Sequence, residues 1–325
     1  GGLLLNSGAA FSLSLVHTHL QAICVITLIN IAGQAIWPSQ SVILTRVTPV
    51  KDRQKIFGFN FMLLNLGLGL GGLLSSLIIQ RGDLLSFQIM YWVDGSTFLL
   101  YLLIVLSLHG ENVNRYIPKD DEPKQGSYRD LFAIKPLMLL GIGGITLFTF
   151  GYGTIQAGIP VFATQFLGLS PKWLGIIFGV NTISIVVFQP LVMRIIEKYS
   201  KYAALIAVGL VWALSWLFVG VAPFLPLFAS GIALSLSQLV FAVGEMIQAP
   251  TIPTLANELA PEHIRGRANA WMSLQWSVSG VLGPAITGLM LGADLSKAWV
   301  LVMFIGCFVS IPLFLKMRAL ATAQA

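Results

Sequence analysis

Two carboxylates stand inside otherwise apolar runs, and no other residues in the sequence have comparable capacity for chemistry. Glu245 is the only charge between positions 202 and 257, and Asp94 is the only Asp, Glu, Lys or Arg between 84 and 110. An ionised side chain at the centre of a bilayer costs about 2.5–3.5 kcal/mol on the insertion scale, so each acid needs a partner or a task. The task that suits an isolated carboxylate in such surroundings is to take up and release protons. Gln238, Glu245 and Gln248 share one helical face, which makes a polar stripe around the acid. The structural alternative is a hydrogen bond to a neighbouring helix or, for Glu245, to a carbonyl freed near Pro250. Uncharged polar and aromatic residues also recur at helical spacing: Asn30, Gln34 and Trp37; Thr149, Tyr152 and Gln156; Asn181 and Ser184; Gln275 and Ser279. Such stripes suit either a cavity that accepts varied small molecules or interhelical hydrogen bonds worth about 0.6 kcal/mol each. His17 and His19 offer two metal ligands at a turn, too few for a site. Cys24 and Cys307 both lie in apolar runs, so no metal or disulfide framework is expected. With no nucleophile elbow, phosphate loop or paired interfacial carboxylates, neither an enzyme nor a cofactor is expected.

The elements that must position these residues follow from composition. Of 325 residues, 56% are hydrophobic and 10% charged, with a mean hydropathy of +0.83. Soluble domains are about 45–50% apolar and about 25% charged. The chain therefore lacks the charge to wet a globular surface, and a polytopic all-α membrane protein embedded in a lipid bilayer is expected. One span takes about 20 apolar residues. The first 45 residues contain no Lys, Arg, Asp or Glu and are too long for one crossing, so they fold back at His17-Thr18-His19. Further spans are expected at 56–80, 84–110, 136–158 and 173–193. The run 202–257 is divided in two at Ala222-Pro223-Phe224-Leu225-Pro226, and 268–292 and 298–315 complete the set. Four segments, the first short, precede the hydrophilic stretch 111–135, which is expected to be a solvated linker, and six follow it.

All Lys and Arg residues except Arg81, Lys172 and Lys297 fall on one side of this layout. The positive-inside rule then puts the linker and the C-terminus in the cytoplasm, and the cell (inner) membrane is the expected location. The basic excess belongs to topology; no nucleic acid is expected as a partner, since Asp120, Asp121 and Glu122 neutralise the linker locally.

A shift of 212 positions brings Pro38 onto Pro250, Pro49 onto Pro261, Arg53 onto Arg265, Lys55 onto Arg267 and Gly71 onto Gly283. Residues with backbone or charge roles thus repeat in register, the trace left by parallel halves of a transporter. Pro49–Lys55 and Pro261–Arg267 resemble the basic inter-helix loops of the major facilitator superfamily. Met193–Tyr202, with Glu197 and Lys198, is similar to its Gly-x-x-x-Asp-Arg-x-Gly-Arg-Arg motif. The glycine run that includes Gly67 and Gly71, and its echo Gly283-Pro284, resembles the glycine motif of its antiporters. Trp92–Thr97 resembles a segment holding a recurrent aspartate of related exporters. The resemblance is to the twelve-helix, drug-efflux-like branch.

It implies two pseudo-symmetric six-helix bundles: 1–110 (partial helix three, helices four to six), the cytoplasmic linker 111–135, and 136–325 (helices seven to twelve). The repeat register leaves roughly two and a half N-terminal helices to lie upstream. Arg53, Lys55, Glu197, Lys198, Arg265 and Arg267 then belong to cytoplasmic gating loops, and Gly67, Gly71, Gly283 and Pro284 to helix packing. The implied function is proton-coupled efflux of small hydrophobic or drug-like molecules by a monomer working through alternating access. An uptake symporter or facilitator on the same fold, and a non-transporting scaffold or receptor, are the alternatives.

Overall fold

The computed structural model describes residues 1–78, 83–107 and 127–322. These are helical almost throughout. In chain order the helices are α1 (Gly2–Leu13), α2 (His19–Val47), α3 (Arg53–Ile78), α4 (Leu84–Ser107), the short α5 (Tyr128–Ala133), α6 (Lys135–Phe166), α7 (Lys172–Ile196), α8 (Lys201–Val221), α9 (Leu227–Leu259), α10 (Arg265–Gly292) and α11 (Ser296–Thr322). Eight of the described helices are long and apolar enough to cross a membrane. With no water in the hydrocarbon core, a spanning segment must satisfy its own backbone, and the α-helix does so.

The turn expected at His17-Thr18-His19 is the N-terminus of α2. Thr18 Oγ1 accepts the Gln21 N–H at 3.3 Å, while Gln21 Oε1 accepts the Thr18 and His17 N–H groups at 3.1 and 2.9 Å. This capping box satisfies donors that the first turn leaves free. Helix α6 was expected to end near 158, ahead of Pro160. It continues to Phe166 because two π-turns, Thr149–Gly153 and Phe162–Phe166, absorb the irregularity.

The chain divides into two compact units. The first comprises Gly1–Pro49 and Gly67–Glu122. Within it, α1 is laid against α4: Ser7 Oγ donates to the Gly95 carbonyl at 2.8 Å, and the Phe11 ring covers Gly95 where a Cβ would sit. Trp92 Nε1 donates to Ser14 Oγ at 3.0 Å near the end of the same contact.

The second unit comprises Val50–Leu66 and Pro123–Ala325, so it takes the first part of α3 as well as α5 to α11. Trp212, Trp216, Trp299, Phe148, Phe162, Phe241 and Phe314 fill its centre as its largest buried side chains. The start of α3 docks on this unit at Gly58, where a side chain would collide with Met193. A Cβ at Gly67, Gly71 or Gly72 would meet open space among the described residues. Residues 111–126 of the expected linker lie outside the described residues. From Ser127 the chain is already folded: α5 buries Leu131 completely, sets Phe132 6.0 Å from Trp271 and holds Tyr128 under Arg267.

Candidate functional site

The site begins with a proline. Pro250 sits inside α9 and has no N–H with which to bond the Met246 carbonyl four residues back. Gln189 of α7 fills the gap, its Nε2 donating to the Met246 carbonyl at 3.1 Å. The carbonyl freed beside Glu245 is therefore already satisfied, and the acid has different partners. Its side chain is 3% exposed. The carboxylate accepts a hydrogen bond from Asn181 Nδ2 of α7 and one from the Tyr152 hydroxyl of α6. Hydrogen bonds to a charged group are worth about 1.5–3 kcal/mol each. No cation is among these partners, so the acid is held in place without being neutralised.

Tyr152 lies in the first π-turn of α6, a form of helix that concentrates at functional positions. Its ring centroid is 4.6 Å from Trp276 of α10, 5.3 Å from Phe148, 5.5 Å from Phe241 of α9 and 5.9 Å from Trp212 of α8. Aromatic pairs at such spacing add about 0.5–1.5 kcal/mol beyond their area. Five helices thus meet around one carboxylate and one phenol. Trp216 Nε1 donates to the Phe150 carbonyl of this turn at 3.1 Å.

Of the residues expected to line a cavity, Tyr152 and Asn181 are brought to Glu245. Thr149, Gln248 and Gln275 are buried in the same unit, and Gln156 is exposed. Gln238 is buried within the stripe, and its Nε2 has no hydrogen-bond partner among the described residues. Asn30, Gln34 and Trp37 are exposed on α2 in the other unit, where Asn30 Nδ2 bonds its own helix at the Ile26 carbonyl (2.8 Å). Asp94 is exposed on α4. Gly283 is buried in α10 and Pro284 lies within that helix. Sequence reasoning missed Gln189 and Trp212. The orphaned carbonyl implied by Pro250 is the signal that could have prompted a search for Gln189.

At one end of the second unit the loop residues form ion pairs. Lys55 Nζ is 3.4 Å from Glu197 and Lys201 Nζ is 3.1 Å from Glu258, around a cavity of about 360 Å³ that Lys51 and Gln54 also line. Arg265 lies 4.0 Å from Glu262, Lys198 is exposed, and Arg267 carries the Tyr128 ring. Exposed pairs of this kind contribute about 0.2–1 kcal/mol. Among the described residues no group of three His, Cys, Asp or Glu side chains could hold a metal.

The family model of the Major Facilitator Superfamily matches residues 1–224 and 144–323, together almost the whole chain. The chain belongs to this superfamily. It is an integral membrane transporter rather than an enzyme. YttB of Bacillus subtilis (strain 168), an uncharacterized MFS-type transporter, is 22% identical over 317 residues, covering 95% of this chain and 75% of that protein. In structure the chain is similar to a bacterial homologue of the iron transporter ferroportin in its outward-facing state, with TM-score 0.73, 13% identity and coverage of 98% of this chain and 83% of that one. It is also similar to a variant of the E. coli fucose:proton symporter FucP, with TM-score 0.71, 14% identity and coverage of 98% and 81%. At these identities the likeness concerns the fold.

Proposed function

We propose that this transporter is proton-coupled, that it exports small hydrophobic or drug-like molecules by alternating access, and that Glu245 carries the proton. The observation behind this reading is the buried carboxylate whose two partners, Tyr152 and Asn181, are both uncharged. A phenol and an amide can each donate to a carboxylate and accept from a carboxylic acid. Both charge states of Glu245 are therefore accommodated without a fixed counter-ion. An acid that exists only to hold helices together is better served by a cation or an amide in its place. The aromatic surround of Phe148, Trp276 and Phe241 suits apolar, planar solutes. The basic loops support a cytoplasmic position for α5 and for the C-terminus in the inner membrane, where a charge moving with the potential gains about 2.3 kcal/mol per 100 mV.

The test is transport in membrane vesicles across a panel of lipophilic dyes and antibiotics. Under an imposed pH gradient, substrate should accumulate against the direction of proton flow. Glu245→Gln should insert normally and lose this accumulation, while Glu245→Asp keeps part of it with an altered pH optimum. Accumulation in the direction of proton flow would favour symport, the activity named for the structural relative FucP.

A further inference from the structure

The two residues that hold the proton site are each preceded by a glycine, Gly151 before Tyr152 and Gly244 before Glu245. Both glycines close on the same side chain. A Cβ at Gly151 would collide with the six-membered ring of the Trp212 indole, and one at Gly244 with its five-membered ring. Trp212 is fully buried, and its Nε1 donates to the Phe241 carbonyl at 3.0 Å, which fixes the indole along α9. The indole also stacks on Phe241, with centroids 4.5 Å apart and planes 17° apart. Trp212 is thus a rigid spacer between the π-turn of α6 and the middle of α9. It meets each chain at the residue next to the one whose side chain enters the site.

We infer that Tyr152, set by the Trp212 clasp, is a positioning residue that tunes proton release from Glu245 and so connects the charge of that acid to the π-turn of α6. This rests on the reading of Glu245 as the proton carrier. The chemistry is a change in the strength of one hydrogen bond, and with it the option of a change in direction. With Glu245 ionised, the Tyr152 O–H donates to it. With Glu245 protonated, that bond is no longer charge-assisted: the phenol either donates more weakly to the remaining carbonyl oxygen or accepts from the new carboxyl O–H. A tyrosine in a π-turn is well placed for this, because π-turns interrupt the regular hydrogen-bond ladder that stiffens a helix. Among the described residues, Tyr152 and Asn181 are the side chains bonded to the carboxylate. The Lys and Arg residues of α6 to α11 (Lys135, Lys172, Arg194 and Lys201 among them) stand at or near helix ends, away from position 245.

Tyr152→Phe removes the hydroxyl and keeps the ring with its four aromatic neighbours. Loss of a donor to the anion makes proton release harder. Infrared difference spectra of the purified, lipid-reconstituted chain between alkaline and acidic buffer need no substrate. The protonated-carboxyl band that Glu245→Gln abolishes reports Glu245. In Tyr152→Phe the midpoint of that band should move to higher pH by about one unit. Trp212→Phe should move it in the same direction, and in the Tyr152→Phe background it should add little, because both act through one contact. A Tyr152→Phe midpoint identical to the parent's would overturn the inference and leave the coupling role of Glu245 standing. If no band is lost in Glu245→Gln across the accessible pH range, the underlying reading fails instead. Should Trp212→Phe not fold, the Tyr152→Phe result decides alone.

Discussion

At the scale of single residues, the site illustrates how a backbone defect recruits a side chain. Pro250 withholds one N–H from the Met246 carbonyl, and Gln189 supplies the missing donor from another helix. Gln189 is fully buried, so replacing it with Leu strands a buried carbonyl at a cost of about 1–3 kcal/mol. In detergent, Gln189→Leu should lower the melting temperature. Pro250→Ala restores the N–H that the carbonyl lacked, so Gln189→Leu should cost much less in that background. Equal losses in the two backgrounds would mean that Gln189 matters through packing. Glu245, Tyr152 and Asn181 were legible in the sequence because polar residues at helical spacing stand out in apolar spans. Gln189 and Trp212 were not. A buried Gln and a buried Trp read as ordinary interior residues until the carbonyl or glycine they meet on another helix is known.

Among the helices, the membrane segments were legible from hydropathy, and the turn at His17-Thr18-His19 from its polarity. The π-turns were not, because a widened turn leaves the apolar run unbroken. Their traces are Gly151 and Gly153 within Thr149–Gly153, and Pro160 just ahead of Phe162–Phe166. Helix α5 escaped notice because a single capped turn is short and polar at its start. Its box is formed by Ser127 and Asp130. The Ser127 backbone N–H, and then its hydroxyl, hold the Asp130 carboxyl below the usual carboxylate range, with His263 and Arg267 adding to the effect. A lowered folded-state value means that the stabilisation is present in full above the ordinary carboxylate range. It is lost as the pH falls through the folded value. Hydrogen exchange should therefore show faster exchange of the Tyr128–Ala133 amides in Asp130→Asn than in the parent at neutral pH, with the difference closing in acid. A difference that persists in acid would show that the charge on Asp130 is not what caps α5.

For the molecule as a whole, composition and hydropathy were enough to establish a helical membrane protein, and the punctuation of the repeat was enough to suggest its family. What remained hidden was which residues meet, since lipid-facing and helix-facing apolar side chains look alike in sequence. The distribution of Lys and Arg carries a topology that can be tested independently. Arg129 and Lys297 are exposed and fall on opposite sides of the expected layout. In a background with the exposed Cys24 replaced and the buried Cys307 kept, cysteines at 129 and 297 should react with an impermeant maleimide from opposite faces of the membrane. Labelling from the same face would refute the layout.

The central claim is that Glu245 couples transport to protons, and the most direct measurement separates coupling from passage. In proteoliposomes, substrate–substrate exchange without a gradient reports passage, and accumulation driven by a pH gradient reports coupling. Glu245→Gln fixes the charge at zero and keeps the shape and much of the hydrogen bonding. Exchange should survive in this variant and gradient-driven accumulation should be lost. A Glu245→Gln protein that accumulates substrate as well as the parent would contradict the account and leave Glu245 as a packing residue, with Asp94 the next carboxylate to test.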